Sequence, residues 1–161
     1  MPRQYQSPPD EPLGLLVAAT RRRIKQAVGH RLRPYGLTAQ QFWVLVAMRE
    51  REGLALRELA ERLRLDQPTA SRIVTLLRRR KLVRIGGHPA DRRRCCLRLT
   101  GGGAALIAEL YPLAREVREA VVRGMSPAEQ DRLRRLLRQV MANMERFESA
   151  APAARLEEVL A

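Results

Sequence analysis

Apolar residues recur along the first third of the chain at Leu16, Val17, Ile24, Ala27, Val28 and Leu32, with Thr20 the one polar member of the stripe. This i, i+3, i+4, i+7 spacing predicts an amphipathic helix from Leu13 that ends at Pro34. Thr38 followed by Gln41 is a capping-box pattern. It introduces Phe42, Trp43, Leu45, Val46 and Met48 in a second helix expected to stop near Gly53. A short third helix, Leu56–Leu63, turns Leu56, Leu59, Ala60 and Leu63 inward. Asp66 is then a good N-cap, and Pro68 falls in a first turn where its missing N–H costs nothing. The fourth helix they open carries Ile73, Val74, Leu76 and Leu77 on one face and Gln67, Thr69, Ser71, Arg72, Thr75, Arg78 and Arg79 on the other.

Beyond this point the period changes. Leu82–Ile85 and Cys95–Thr100 read as two short strands joined by the turn-rich, basic stretch from Gly86 to Arg94, a β-hairpin with an arginine tip. Two long helices follow. The first holds Leu106, Leu110, Leu113, Val117 and Val121, with a kink expected at Pro112. The second is opened by the capping box Ser126 and Glu129 and holds Leu133, Leu136, Leu137, Val140, Met144 and Phe147. Residues 1–12, with four prolines and no apolar periodicity, read as a flexible arm, and residues 149–161 as a tail. The expected fold is mostly α: one domain over 13–148, with a winged helix-turn-helix over 38–100 and a small β-hairpin wing. The N- and C-terminal helices, 13–33 and 101–148, carry more apolar surface than one small core covers and are expected to form a dimerisation region.

Charge adds a partner to this picture. Residues 1–54 carry 9 basic and 4 acidic side chains, residues 55–100 carry 13 and 4, and residues 101–161 carry 9 and 9. The excess behind the net +14 is therefore centred on the helix-turn-helix and hairpin, where a polyanion would bind, whereas uniform arginine usage would leave the last third basic too. Helix, tight turn, helix and basic hairpin suit double-stranded DNA. The helix after Asp66 fits a major groove with its first polar side chains at base edges. Arg72 is the candidate for a bidentate guanine contact, and Arg92, Arg93 and Arg94 can reach phosphates or a narrow minor groove.

Asp91-Arg92-Arg93-Arg94-Cys95-Cys96-Leu97-Arg98-Leu99-Thr100 with Gly103 resembles the wing signature of MarR-family regulators, D-x-R-x-x-x-[VL]-x-L-T-x-x-G. Gly36-Leu37-Thr38-Ala39-Gln40-Gln41-Phe42-Trp43-Val44-Leu45 resembles the opening of that family's second helix. Asp66-Gln67-Pro68-Thr69 resembles the start of the recognition helix in its SlyA-like branch. The resemblance runs from about Leu13 to Phe147. It implies an obligate homodimer with interlocked first and last helices, one winged unit per half of a pseudo-palindromic operator, and release by a small phenolic or other lipophilic ligand. It also implies roles for Arg72 as the base-reading arginine, Arg93 as the wing arginine, and Asp91 as the acid that orients the wing. Where the family usually has glycine after the recognition helix, this chain has Lys81. A left-handed cap there must be borne by a residue with a Cβ or replaced by another ending.

The DNA-binding candidates are thus Gln67, Pro68, Thr69, Ser71, Arg72, Thr75, Arg78, Asp91, Arg92, Arg93 and Arg94. Arg21-Arg22-Arg23 reads as a solvated helix face, while Arg78-Arg79-Arg80-Lys81 can follow the phosphates as the helix leaves the groove. Tyr35, Phe42, Trp43 and Tyr111 suit an aromatic ligand, although aromatics on helices more often pack the core. With His30, the residues Tyr35, Trp43 and Tyr111 are the ligand-binding candidates. Cys95 and Cys96 point to opposite strand faces, which favours a small buried hydrophobe over a redox switch, and in the family's peroxide-sensing branch the reactive cysteine lies in the first helix. His30 and His88 are too few for a zinc site, so no metal or cofactor is expected. The sequence shows no recognisable arrangement of nucleophile, base or paired carboxylates, and neither Ser71 nor Ser126 has a glycine elbow, so an enzyme is not expected. No segment approaches a membrane span of about 18 apolar residues and no signal-type h-region is present, so a cytoplasmic, nucleoid-associated protein is expected. The competing reading is an architectural protein that coats nucleic acid by charge alone.

Overall fold

The computed structural model describes residues 10–88 and 91–150; within that span the side chains of His88 and of residues 91–95 are not described. The elements run α1 (Leu13–Leu32), a 3-10 turn (Arg33–Tyr35), α2 (Ala39–Glu50), α3 (Leu56–Leu63), α4 (Gln67–Arg79), β1 (Val83–His88), β2 (Asp91–Leu99), α5 (Gly101–Val121) and α6 (Pro127–Ser149). Most of the flexible arm expected over 1–12, and all but two residues of the tail expected over 149–161, lie outside the described residues. The described chain forms two compact units, one ending at Val121 and the other beginning at Val122.

In the first unit α2 is the central post. Phe42, Val44, Leu45, Val46, Ala47 and Met48 are all buried, so the helix is apolar nearly all round and must be covered on every side. It packs against α1, α3, α4, α5 and β2. Its capping box closes as the sequence predicts: the Gln41 N–H donates to Thr38 Oγ1 at 3.2 Å and the Thr38 N–H to Gln41 Oε1 at 3.0 Å. The C-terminal end of α1 completes this core through Val28 and Leu32, with Ile24 packed against it. The stripe predicted for α1 is therefore only half used. Leu13, Leu15, Leu16 and Val17 remain exposed, Leu13 at 70 %.

The wing is longer than its pattern suggested. β1 and β2 pair antiparallel with Val83 opposite Leu99, Ile85 opposite Leu97 and Gly86 opposite Cys96. Gly86, Gly87 and His88 thus belong to β1, and Asp91 to Arg94 to β2, where the sequence reading had placed one long connection. Glycines read as breakers are here strand residues. A Cβ on Gly86 would meet Arg84 Nη1 at 3.3 Å and Arg98 Cδ at 3.6 Å, so its absence makes room for two arginines. Gly87 pairs with Cys95 and His88 with Asp91, and the register shift between them leaves the backbone of Arg92, Arg93 and Arg94 as additional residues of β2 in place of a tip loop. α5 runs through Pro112 as one helix.

The second unit contains α6, capped by Ser126 and Glu129. The Ser126 N–H donates to Glu129 Oε2 at 2.8 Å and the Glu129 N–H to Ser126 Oγ at 3.3 Å. No residue of α6 is buried, and Leu133, Leu136, Leu137, Val140, Met141, Met144 and Phe147 stand exposed, Phe147 at 70 %.

Candidate nucleic-acid interface

α3 and α4 are joined by a three-residue turn whose geometry depends on Arg64. This residue takes a left-handed conformation, φ 54°, while the Leu65 N–H donates to the Ala60 carbonyl at 2.9 Å and the Arg64 N–H to the Glu61 carbonyl at 3.2 Å. Both bonds together are the Schellman ending of a helix. Asp66 then starts α4. Its Oδ1 accepts from the Thr69 N–H at 2.7 Å and its Oδ2 from the Thr69 hydroxyl at 2.8 Å. These bonds, the backbone one foremost, hold the Asp66 carboxyl below its usual pKa.

Thr69 Oγ1 in turn accepts from Arg72 Nη2 at 3.4 Å, so the cap reaches one turn further and orients the guanidinium. Arg72 is exposed and has no acid within ion-pair distance among the described residues. Ala70, Ile73, Val74 and Leu77 bury the inner face of α4. Gln67, Pro68, Ser71, Thr75 and Arg78 are exposed on its outer side and Thr69 is half-buried. Of the wing candidates Asp91, Arg92, Arg93 and Arg94, only the backbone is described, in β2.

The far end of α4 resolves the question posed by Lys81. This residue adopts φ 57° and bears the left-handed cap itself, with its N–H donating to the Arg78 carbonyl at 2.8 Å and the Leu82 N–H to the Leu77 carbonyl at 3.0 Å. A second contact fixes the same end. Arg80 Nη1 donates to the Gly36 carbonyl at 2.7 Å and Nη2 to the Tyr35 carbonyl at 2.9 Å, tying α4 to the turn before α2. Within the basic run Arg78–Lys81, Arg80 is therefore an internal clamp. No local sequence signal marks it, because its partners lie 44 and 45 residues away.

The ligand candidates do not gather at one place. His30 is exposed in the last turn of α1. Tyr35 is half-buried and donates to Glu109 Oε1 at 2.7 Å, a bond that raises its phenol pKa. Trp43 and Tyr111 belong instead to a cluster around Glu50, which sequence reasoning missed. Glu50 Oε1 accepts from Arg118 Nη2 at 2.6 Å and from the Tyr111 hydroxyl at 3.2 Å, and Oε2 accepts from Arg62 Nη2 at 3.0 Å. Arg118 also lies over the Trp43 ring at 5.9 Å, and Arg49 over the Tyr111 ring at 4.7 Å. Burial pushes the Glu50 carboxyl up, but donation from Arg118 and Arg62 outweighs it and holds the group below its usual pKa. The cluster links α2 to α3 and α5. Cys96 is buried and its thiol donates to the Gly87 carbonyl at 3.4 Å, as a packed strand residue would; the Cys95 side chain is not described.

The helix-turn-helix with its attached hairpin has clear counterparts among known proteins. A MarR family model matches residues 35–94. The transcriptional repressor NicR of Pseudomonas putida is 34 % identical over 105 residues, 65 % of this chain and 66 % of NicR, so the match spans about two-thirds of that relative. BpsR of Bordetella bronchiseptica superposes with a TM-score of 0.68 at 30 % identity, covering 85 % of this chain and 98 % of BpsR. The chain belongs to the MarR family. A mutant MarR from E. coli complexed with operator DNA is similar as well, with a TM-score of 0.67 at 27 % identity over 81 % of this chain and 94 % of that one. Family membership places the chain among DNA-binding winged-helix transcriptional regulators and not among enzymes. Among the described residues no helix is long and apolar enough to cross a membrane.

The family signature also gains a physical reading. Thr100 Oγ1 donates to the Lys81 carbonyl at 2.6 Å and accepts from the Gly103 N–H at 3.0 Å, capping α5 while gripping the end of α4. Gly103 is buried against Leu82. A Cβ there would collide with the Leu82 carbonyl oxygen, with the carbonyl carbon at 2.9 Å. The L-T-x-x-G spacing is thus the requirement of one close helix-to-backbone contact.

Proposed function

We propose that this MarR-family chain is a homodimeric repressor that reads a pseudo-palindromic operator and is released by a small phenolic or other lipophilic effector. The observation that carries the reading is Arg72: exposed, in no ion pair among the described residues, and oriented through Thr69 by the Asp66 cap, whose charge it also feels. A preoriented guanidinium one and a half turns into a helix suits the O6 and N7 of guanine in a major groove. Gln67, Pro68, Thr69, Ser71, Thr75 and Arg78 share that helix, and Asp91, Arg92, Arg93 and Arg94 belong to the wing that would meet the adjacent minor groove. The fragment Asp66–Thr69 favours the SlyA-like branch.

Dimerisation is supported by the uncovered apolar residues of α1 and of α6, each of which needs a partner surface in water. In this reading 13–148 is one domain, with 13–33 and 101–148 as its dimerisation helices, in a cytoplasmic, nucleoid-associated protein. For the effector, BpsR offers a lead, because its DNA binding is regulated by 6-hydroxynicotinic acid. A small aromatic acid would suit the rings and guanidiniums of Trp43, Tyr111, Arg49 and Arg118, with Tyr35 and His30 as outlying candidates.

Selection of bound duplexes from a random pool, followed by footprinting, tests the reading. A short two-fold symmetric site is expected, and Arg72→Ala should cost about 1–3 kcal/mol on it while flattening the preference at one base pair. Uniform coating without a selected site would instead mean an architectural protein acting by charge.

A further inference from the structure

Four cations, Arg78 to Lys81, stand at the end of α4, and one of them binds the protein's own backbone. Arg80 Nη1 donates to the Gly36 carbonyl at 2.7 Å and Nη2 to the Tyr35 carbonyl at 2.9 Å. These carbonyls close the 3-10 turn that continues α1, so they belong to the negative end of a helix, where a cation is stabilised. The planar guanidinium spans both oxygens with two donors in a fixed fork, which specifies orientation as well as distance. Tyr35 is thereby held twice. Its carbonyl accepts from Arg80 of α4, and its hydroxyl donates to Glu109 Oε1 of α5 at 2.7 Å.

Helix geometry says what this clamp restrains. The inner face of α4 packs through Ala70, Ile73, Val74 and Leu77. Apolar contact is non-directional, so by itself it sets the depth of the helix better than its roll. Successive residues turn by about 100°, which puts Arg80 roughly 80° round the axis from Arg72 and about 12 Å along it. A bidentate hold on Arg80 therefore opposes rotation of the face that carries Arg72. At about 5–6 Å from the axis, a roll of roughly 10° moves a side chain by about 1 Å. A binding constellation tolerates only about 0.5 Å. Phosphate contacts from long flexible cations are more forgiving than a bidentate contact to a base edge.

We propose that Arg80 is a positioning residue for base readout: it fixes the roll of α4 on the Tyr35 and Gly36 carbonyls, and Tyr35 carries that hold to α5 through Glu109. The inference rests on the reading of α4 as the major-groove helix and of Arg72 as its base-reading side chain. It removes Arg80 from the cations available to DNA phosphates.

The test uses the full chain, a duplex selected by the wild-type protein from a random pool, and a scrambled duplex of equal length, each titrated with salt. Arg80 is exposed, so Arg80→Ala should keep the helical circular dichroism of the wild type. Its affinity for the selected duplex should fall about tenfold, with less than about a twofold change on the scrambled one and no change in the slope of log K against log [salt]. Arg80→Lys separates a clamp from a charge. Lysine serves a phosphate as a point charge but lacks the fork that spans two carbonyls, so most of the selected-duplex loss should persist. Tyr35→Phe keeps the carbonyl that Arg80 grips and removes the hydroxyl that binds Glu109; it should lower affinity for the selected duplex about threefold at constant slope. Because both act through one contact chain, the double variant Arg80→Ala/Tyr35→Phe should bind no worse than Arg80→Ala. A slope lowered by about 0.9 for each arginine lost, full recovery in Arg80→Lys, or an equal loss on both duplexes overturns the positioning role. Wild-type binding by Tyr35→Phe, or additive losses in the double variant, overturns the link to α5. If the wild type selects no sequence at all, the operator reading fails and this inference with it, whereas a selected site with equal losses on both duplexes defeats this inference alone.

Discussion

Gly103→Ala is the substitution on which the packing account stands most exposed. Gly103 lies in the first turn of α5 in ordinary helical backbone, where alanine would normally gain up to about 1 kcal/mol over glycine. Here its Cβ would overlap the Leu82 carbonyl oxygen, with the carbonyl carbon at 2.9 Å and Cα at 3.2 Å. Favourable carbon contacts begin near about 3.5 Å, so the Leu82 peptide must retreat by more than half an ångström, roughly. That peptide is not free to move. Its oxygen accepts from the Thr100 N–H at 3.0 Å, its N–H donates to the Leu77 carbonyl at 3.0 Å, and the preceding carbonyl accepts from the Thr100 hydroxyl. Overpacking of this kind costs about 1–3 kcal/mol, and the weakening of one or two hydrogen bonds about 1 kcal/mol each. After the helix gain the net expectation is a destabilisation of about 1–4 kcal/mol, or roughly 10 °C in Tm at its upper end for a chain of this size. Thermal and urea denaturation at fixed protein concentration would measure it, because on the dimer reading stability depends on concentration. Gly102→Ala is the internal control: its Cβ would meet only Thr100 Oγ1 at 3.9 Å, and it should be neutral or mildly stabilising. Equal stability of the two variants would refute the close-contact argument.

Three further expectations follow from other parts of the molecule. Glu50→Gln should lower stability by about 1 kcal/mol, the upper range for a partly exposed ion-pair network. Because the folded-state pKa of Glu50 is depressed, its contribution is complete above the ordinary glutamate value of 4.5 and is lost as pH falls through the lower folded value. Melts of wild type and variant should therefore differ most near neutrality and converge in acid; a difference that persists at low pH would mean Glu50 acts by packing. Leu137→Glu on the uncovered face of α6 should convert a dimer to monomer at micromolar concentration in equilibrium sedimentation, and an unchanged dimer would remove α6 from the interface. Inserting about 5 bp between the half-sites of the selected operator should drop affinity toward the non-specific level, a loss of about 4 kcal/mol or more, and inserting about 10 bp should not restore it to a rigid dimer. Equal gel-shift affinity for all spacings would mean a monomeric or non-specific reader.

Much of this architecture is legible in the chain because the relevant signals are local. Capping boxes at Thr38 and Ser126 and the Asp66 cap involve partners three residues apart, so residue type and spacing suffice to place three helix starts. The wing was harder. Gly86 and Gly87 carry turn composition but sit in β1 opposite Cys96 and Cys95, and at Gly86 the missing Cβ leaves room for the side chains of Arg84 and Arg98. Lys81 and Arg64 hold left-handed backbone where glycine would be expected, compensated by two hydrogen bonds at each helix end. The features invisible to periodicity are long-range polar contacts. Glu50 meets Arg118 across 68 residues and Arg80 meets Gly36 across 44, and neither pair differs from any surface glutamate or arginine until the helices are packed. For the same reason the aromatic candidates split: Trp43 and Tyr111 join through Arg118 and Glu50, while Tyr35 turns to Glu109.

The contacts at the end of α4 bear on how such a regulator can be switched. Lys81 and Leu82 follow α4 and precede β1, while Thr100 follows β2 and caps α5, and three hydrogen bonds join them: Thr100 to the Lys81 carbonyl, Thr100 to the Leu82 carbonyl, and Gly103 to Thr100. The Leu97 N–H adds a bond to the Leu54 carbonyl at 2.8 Å, tying β2 to the segment before α3. The end of α4 and the base of the hairpin are therefore joined directly, braced by the close approach of Gly103 to Leu82. On the proposed reading, a set distance between α4 and the base of the wing would let the protein register a major groove against the neighbouring minor groove, which a charge-only binder does not need. An effector that folded the wing away from α4 would, on that reading, have to break the Thr100 joint. On the dimer reading, release must come from a change in the spacing or tilt of two intact heads. α5, which begins at this joint and carries Tyr111 and Arg118 of the Glu50 cluster, is the element through which such a change would reach both α3 and the wing together.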